Sequence, residues 1–404
     1  MDTIVDKRQE VKRGYAFLEA ISKPTSDSPY ARTEIVLDVV DAAAFDTGNA
    51  YQRAPEHLSI VRVQTTVRRL REAFYLQQDI AEGEWFQIET ASEPGLPVAW
   101  TLDATQSYSG PVRRANLTKF DRLRETALPS REGGSDLLSN LQTLCRVGKA
   151  RQSSNPKAGS DKPNPNFFIR AIDVGHANCA AIHVEKDANS RILGYYDVGA
   201  PVFFHRRTFP NPFPDSNRVP AAGFVALSHW DFDHYSLAVT HLPQLQKLEW
   251  YAPDQPVGPN GARLQALLGN HLNLVSATIV SVHADINLWK GTGGASDRNN
   301  SGYVFRAERP EGGVLLTGDV GYDYINPAAK QDLIALGVTH HGGLGCANPP
   351  IPKSHGRAVV SYGLPNRYGH PSEPQLAAHV LAGWTVIRTA GVTAAYQRAD
   401  VWLY

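Results

Sequence analysis

Two histidines and two aspartates stand within six residues, at His229, Asp231, Asp233 and His234, inside the stretch GFVALSHWDFDHYSL from Gly223 to Leu237. Imidazole nitrogens suit zinc or manganese, and carboxylates add charge and can bridge a pair of ions. Side chains alternate along an extended chain, so His229, Asp231 and Asp233 turn the same way, and His234 follows from the other side of the turn. The apolar run Gly223 to Leu227 reads as a buried strand that delivers all four groups from its end. A plainer use exists for one of them: Asp233 could cap a helix beginning near Tyr235.

Four further stations of the same character lie in the second half of the chain. AIDVGHANC (Ala171 to Cys179) and GYYDVG (Gly194 to Gly199) each place an aspartate, Asp173 and Asp197, at a strand end beside a glycine turn. Asn299, Asn300 and Ser301 precede an apolar run at Tyr303, and VLLTGDVGYD (Val314 to Asp323) carries Asp319 at a strand tip. GVTHHGG supplies His340 and His341, and NRYGHP supplies Asn366, Arg367 and His370. Any one of these is most simply a glycine turn or a capping aspartate. Their repetition at strand ends is what argues for a site.

The order DVG, DVG, SHxDxDH, NNS, LLTGD, HHGG, NRYGHP resembles the metallo-β-lactamase fold, in the branch typified by the C-terminal domain of ComEC-type DNA-uptake proteins, from about Pro165 to the C-terminus. The resemblance implies an α/β fold, a four-layer αβ/βα sandwich, with a binuclear centre of two divalent ions, manganese or zinc, or a single ion. His229 and Asp231 would hold the first ion, Asp233 and His234 the second, and Asp319 would bridge them. One of His340 or His341 would complete the second site. Asp197 and Asp173 would brace the ligand-bearing loops from behind. Asn366, Arg367, Asn300 and His370 would meet the substrate phosphate, with His370 delivering a proton to the leaving alkoxide and Asp233 or Asp319 available as a base.

Three departures from the pattern stand out. Asp231 occupies a place where many of the fold's hydrolases have histidine, which favours harder oxygen ligation and manganese over zinc. A metal-binding histidine expected between SHxDxDH and GD is replaced by Asn299, Asn300 and Ser301, with His283 a weak substitute. The usual DVGQGD or DVGQGS is here DVGHAN, which moves His176 and Asn178 into altered places.

The elements that must position these groups lie in the second half of the chain. After a polar, proline-containing linker at 146–166, strands are expected at 167–172, 180–184, 192–196, 224–227, 248–251, 278–282, 303–306, 313–316, 333–338, 358–361 and 385–389. Helical stretches are expected around 237–245, 261–272 and 374–381. The hydrolase domain is therefore 167–404. Residues 1–145 read as a smaller mixed α+β accessory domain, with helical spacing over 6–21, strands at 33–40 and 58–66, and an arginine-rich amphipathic helix over 66–80. Arg113, Arg114, Lys119, Arg122 and Arg124 form its one basic cluster, which reads most simply as a solvated helix face.

Composition narrows the function classes. The 404 residues carry 40 Lys plus Arg against 40 Asp plus Glu, and the balance holds on both sides of the linker, so no strongly basic face is advertised. Three cysteines, far apart and without a CxxC pair, suggest neither a disulfide framework nor a thiolate zinc knuckle, and fit a reducing compartment. The N-terminus has no apolar signal core and no run of about 18 apolar residues occurs, so a cytoplasmic protein with no membrane span is expected.

The expectation is a metal-dependent hydrolase that cleaves phosphodiester bonds by metal-activated hydroxide, with nucleic acid as the first substrate class. A small-molecule or cyclic-nucleotide phosphodiesterase is the alternative enzyme. A non-catalytic binding or signalling module, whose N-terminal domain engages a protein partner, is the alternative from another class.

Overall fold

The computed structural model of the chain describes residues 12–22, 32–49, 53–76, 78–124, 137–146, 151–152, 167–187, 190–201, 203–210, 213, 219–343, 347–364, 370–390 and 398–404. The chain divides into two compact units, one of Met1–Val147 with Pro256–Leu264, the other of Gly148–Gln255 with Gln265–Tyr404. The short excursion at 256–264 thus clusters with the N-terminal unit, although it lies inside the stretch read as 167–404.

The first unit is built on a closed antiparallel barrel of β1 (Lys12–Ser22), β2 (Arg32–Asp41), β3 (Leu58–Thr66), β4 (Trp85–Ala91), β5 (Val98–Asp103) and β6 (Arg113–Arg122), in the order β1-β2-β3-β5-β6-β4 with β4 returning to β1. Three helices, α1 (Ala42–Asp46), α2 (Val67–Phe74) and α3 (Leu137–Leu144), also belong to it. The helical spacing over 6–21 was misleading, because 12–22 is strand. Ala16 and Leu18 enter the barrel core, while Tyr15 and Phe17 pack edge-on against Phe45 and Trp85, each at 5.4 Å. A strand apolar on both faces loses the period-two signal. Four of the five basic-cluster residues, Arg113, Arg114, Lys119 and Arg122, likewise lie on a strand, β6, and three of them meet acids: Arg113–Asp103 at 2.6 Å, Arg122–Glu84 at 3.1 Å and Lys119–Asp121 at 3.5 Å.

The second unit is α/β, with strands predominating. Its first sheet contains β7 (Arg151–Gln152), β8 (Phe168–Ala171), β9 (Cys179–His183), β10 (Ile192–Val198), β11 (Phe224–Ala226), β12 (Glu249–Pro253), β13 (Leu272–Val275) and β21 (Val401–Trp402). The order is β21-β8-β9-β10-β11-β12-β13-β7, antiparallel as far as β10 and parallel from β10 onward. Its second sheet runs in chain order through β14 (Ile279–His283), β15 (Ile286–Lys290), β16 (Tyr303–Arg309), β17 (Gly312–Leu316), β18 (Leu333–Gly337), β19 (Pro352–Val360) and β20 (Trp384–Arg388). Here β17 to β20 are parallel. Four helices belong to the later chain: α4 (Phe232–Tyr235), α5 (Leu237–Thr240), α6 (Pro259–Leu268) and α7 (Glu373–Leu381).

One apolar cluster joins the two sheets of this unit. Ile169, Ile182, Tyr196 and Phe224 from the first pack with Tyr303, Phe305, Val314 and Leu316 from the second. The intervening residues Val304 and Leu315 point the other way, into a second cluster with Leu376 of α7 and Trp384. That alternation is the pleat of a sheet buried on both faces. The strands at β13 and β15 were not expected from the sequence, and the helix read over 261–272 ends earlier, with β13 starting at Leu272. No described helix is long and apolar enough to cross a membrane.

Candidate metal centre

Parallel pairing decides where the polar stations meet. Chain segments that leave β10, β11, β17, β18 and β19 do so from carboxyl ends, and β10/β11 and β17/β18/β19 are parallel sets, so each sheet sends its loops to one edge. There the structure brings together two sets of donors: His229, His234 and Asp319, and Asp233, His234 and His341, with the donor atoms of each set within 4.8 Å of one another.

The histidines are held for ligation from behind. Ser228 Oγ lies 2.9 Å from Asp197 Oδ2, 3.0 Å from His229 Nδ1 and 3.1 Å from His234 Nδ1. Asp197 also accepts from Ser228 N at 2.8 Å and faces His234 Nδ1 at 2.8 Å. The assignment consistent with this network has the serine hydroxyl and His234 Nδ1–H donating to Asp197, and His229 Nδ1–H donating to the serine. His341 Nδ1–H donates to Ser361 O at 2.8 Å. In all three rings the Nε2 lone pair is therefore directed inward.

Those three Nε2 atoms are buried and make no hydrogen bond among the described residues. Carboxylates stand near them, but too far or too poorly angled to bond: Asp231 at 3.3 Å from His229, Asp319 at 3.4 Å from His234, and Asp233 at 3.6 Å from His341 and 4.0 Å from His234. Buried polar atoms are seldom left without a partner, since each costs about 1–3 kcal/mol. Two imidazoles and a carboxylate, as in each of the two sets, are donors a divalent cation takes, and the residues fit one.

Electrostatics agrees that the site lacks positive charge. Burial works against a charged His234, yet Asp319, Asp197 and Asp233 outweigh it and raise its pKa well above the ordinary value. Burial also opposes the ionised carboxylates, but His340 and His234 hold Asp319 well below the usual range, and His234 and His341 bring Asp233 down to about 2. His370 behaves oppositely: burial, then His340 and His341, depress its pKa to about 3, so its ring is neutral at pH 7.

Several backbone positions store strain here. Asp197, His340 and His341 all have φ near +50° (52°, 49° and 52°), a region that costs side-chain-bearing residues about 1–3 kcal/mol each. His340 N bonds Gly318 O at 3.0 Å, which ties the histidine turn to the Asp319 loop. Gly199 is a steric requirement, for a Cβ there would lie 1.7 Å from Asp233 O.

Asp231 departs from its expected place. It is the residue preceding α4 but its side chain caps no backbone N–H, and Asp233 lies within the first turn of that helix. Asp231 Oδ1 instead pairs at 2.7 Å with Arg298, whose side chain is fully buried. It joins neither donor set. Asp173 is taken by Arg398, through a contact to Oδ2 and a 2.7 Å bond to Oδ1, rather than by a ligand-bearing residue. Asn300, expected at the substrate, is committed at both ends of its amide: Nδ2 donates to Asp297 at 2.8 Å, and Oδ1 accepts from Gly321 N at 2.9 Å. His283 lies in the edge strand β14 opposite Ile286, outside both sets.

His340 and His370 flank the centre. His340 Nδ1 is 3.4 Å from Asp319 Oδ2, and the His370 ring meets His340 edge-on at 5.4 Å. His176 lies 4.9 Å from His341 and 6.1 Å from His370, ring to ring. Asn366 and Arg367 lie outside the described residues. Sequence reading missed Ser228 and Arg298 as members of the site. The serine's position beside His229 was the only available signal for the first, and nothing in the spacing announced the second. Comparison of the chain with protein-family models and with curated proteins found no match.

Proposed function

We propose that this chain is a metal-dependent hydrolase of phosphodiester bonds, built on a metallo-β-lactamase-type sandwich. The observation that carries the reading is the trio of inward, unpartnered Nε2 atoms of His229, His234 and His341 beside Asp233 and Asp319. Asp233, His234, His341 and Asp319 are the residues that would hold the ion. The chemistry such an ion supplies is Lewis acidity, which polarises a phosphoryl oxygen and makes a nucleophile available at neutral pH.

The chain's own residues do the positioning. Asp197 and Ser228 fix His229 and His234 in one tautomer and one orientation, which removes the reorganisation a mobile ligand would need. The side chains of Asp233 and His340 are about one-third exposed, at 35% and 37%, and so line the side from which a substrate enters. His370, neutral at pH 7, keeps one ring N–H with which to donate to a phosphate oxygen and is not an imidazolium acid there.

Nucleic acid is the first substrate class to test. A small or cyclic diester is the second reading, favoured by the 40-to-40 charge balance and by the acid partners of the β6 arginines. Added salt separates them, since polymer cleavage weakens steeply with ionic strength and cleavage of a small diester does not. The decisive experiment is hydrolysis of bis(p-nitrophenyl) phosphate with manganese or zinc added to chelator-stripped protein. Asp319→Asn should lower the rate at least about 100-fold, beyond the 10–100-fold typical of residues behind a ligand, with the circular dichroism spectrum kept. Undiminished turnover in that variant overturns the assignment.

A further inference from the structure

The donor geometry does not divide into two independent ion sites. Both three-residue sets need His234, and His234 has one donor atom to give, because its Nδ1 is held by Asp197 and Ser228. An ion bound by Asp233, His234 and His341, with Asp319 Oδ1 only 3.4 Å from His234 Nε2, uses that atom. What remains for a second ion is His229, Asp231 and the other oxygen of Asp319, and one oxygen of Asp231 already faces a cation.

That cation is Arg298. Its side chain is among the largest that are fully buried, and its guanidinium stands 2.7 Å from Asp231 Oδ1 while Asp231 Oδ2 stands 3.3 Å from His229 Nε2. A guanidinium is charged at every accessible pH and is strongly destabilising when buried without a carboxylate. The loop holds it there. Gln255 Nε2 donates to Arg298 O and Ser301 Oγ, both at 2.8 Å, and Asp297 accepts from Asn300 N at 3.1 Å and Asn300 Nδ2 at 2.8 Å. The 297–301 loop, where a further histidine ligand was expected, thus presents a fixed positive charge instead.

We propose that the centre takes one divalent ion, at Asp233, His234, His341 and Asp319, and that Arg298, acting through Asp231, supplies the positive charge where a second ion would sit. This rests on the metal-hydrolase reading. Arg298 is a positioning residue, and the consequence is a site whose manganese or zinc content saturates at one per chain.

The test is metal content by elemental analysis of stripped protein re-equilibrated with manganese or zinc, with the electron paramagnetic resonance spectrum of the manganese form. One equivalent with an uncoupled manganese spectrum supports the inference. Two equivalents, or a spin-coupled pair as expected for ions about 3.5–4 Å apart, overturns it and leaves the hydrolase reading standing. No bound ion at all overturns the hydrolase reading itself. In the variants, Asp231→Asn should keep the single equivalent within about threefold of its affinity, while Asp233→Asn should weaken it by about 100-fold or more, since it removes a ligand rather than a residue behind one. Equal losses in the two overturn the proposal. Arg298→Gln, once its cooperative unfolding shows it folded, should take up a second equivalent, and a count that stays at one removes Arg298 from the explanation.

Discussion

The barrel and the candidate metal centre both bury charge, and they treat it differently. In the barrel, buried Arg62 pairs with Glu34, which also accepts from Gln64 at 3.1 Å. In the same unit buried Asp38 accepts from Asn260 N at 3.0 Å and from Asn260 Nδ2 at 2.5 Å. In the candidate metal centre, by contrast, three imidazole nitrogens make no bond among the described residues and the nearby carboxylates stop at 3.3 to 4.0 Å. A charge met within hydrogen-bond distance holds a fold together. A set of donors held apart around a common point is a place for something else, and the second unit maintains it with left-handed backbone at Asp197, His340 and His341.

Removing one partner from the barrel pair should have the largest effect on stability. Arg62→Met leaves Glu34 buried and uncompensated, which should cost about 3–5 kcal/mol in denaturant unfolding of the first unit. Metal uptake should be unchanged, and a variant that lost both would dissolve the contrast between the two regions. Chelation should do the reverse. An ion held at 100 times its dissociation constant adds about 2.7 kcal/mol, so stripping it should lower the unfolding transition of the second unit and leave that of the first in place.

Asp197→Asn sharpens the comparison further, because the residue touches no ion yet fixes His234. Isothermal titration should show metal affinity about 10–100-fold weaker, with the stoichiometry retained. The smallest effect belongs to the barrel surface. Arg113 pairs with Asp103 with about half its side chain exposed, and Arg113→Ala should change stability by no more than about 1 kcal/mol.

Much of the site was legible because its residues are clustered locally. The run His229 to His234 is six residues long, and the strand β11 that delivers it is bounded by Gly223. Asp319, His340 and His341 each follow a short, continuous apolar run of the kind a doubly buried strand shows. The first unit was much less legible. Strands β1, β4, β5 and β6 went unread, because a closed barrel wrapped on its outer side by Tyr15, Phe17 and Trp85 blurs the alternation that marks a strand.

By itself the sequence determined which chemistry is available: imidazole and carboxylate at fixed local spacing, on strand ends, in a chain of balanced charge. Spacing is local, and a metal donor set needs only the right groups at the right ends. Only the tertiary structure decided which of them converge. Parallel pairing in both sheets carries Asp319 and His341 to the neighbourhood of His234 from across up to about a hundred residues, and the same folding places Arg298 against Asp231. The charge of one residue is then answered by another far along the chain, and no pattern read along the sequence contains that distance.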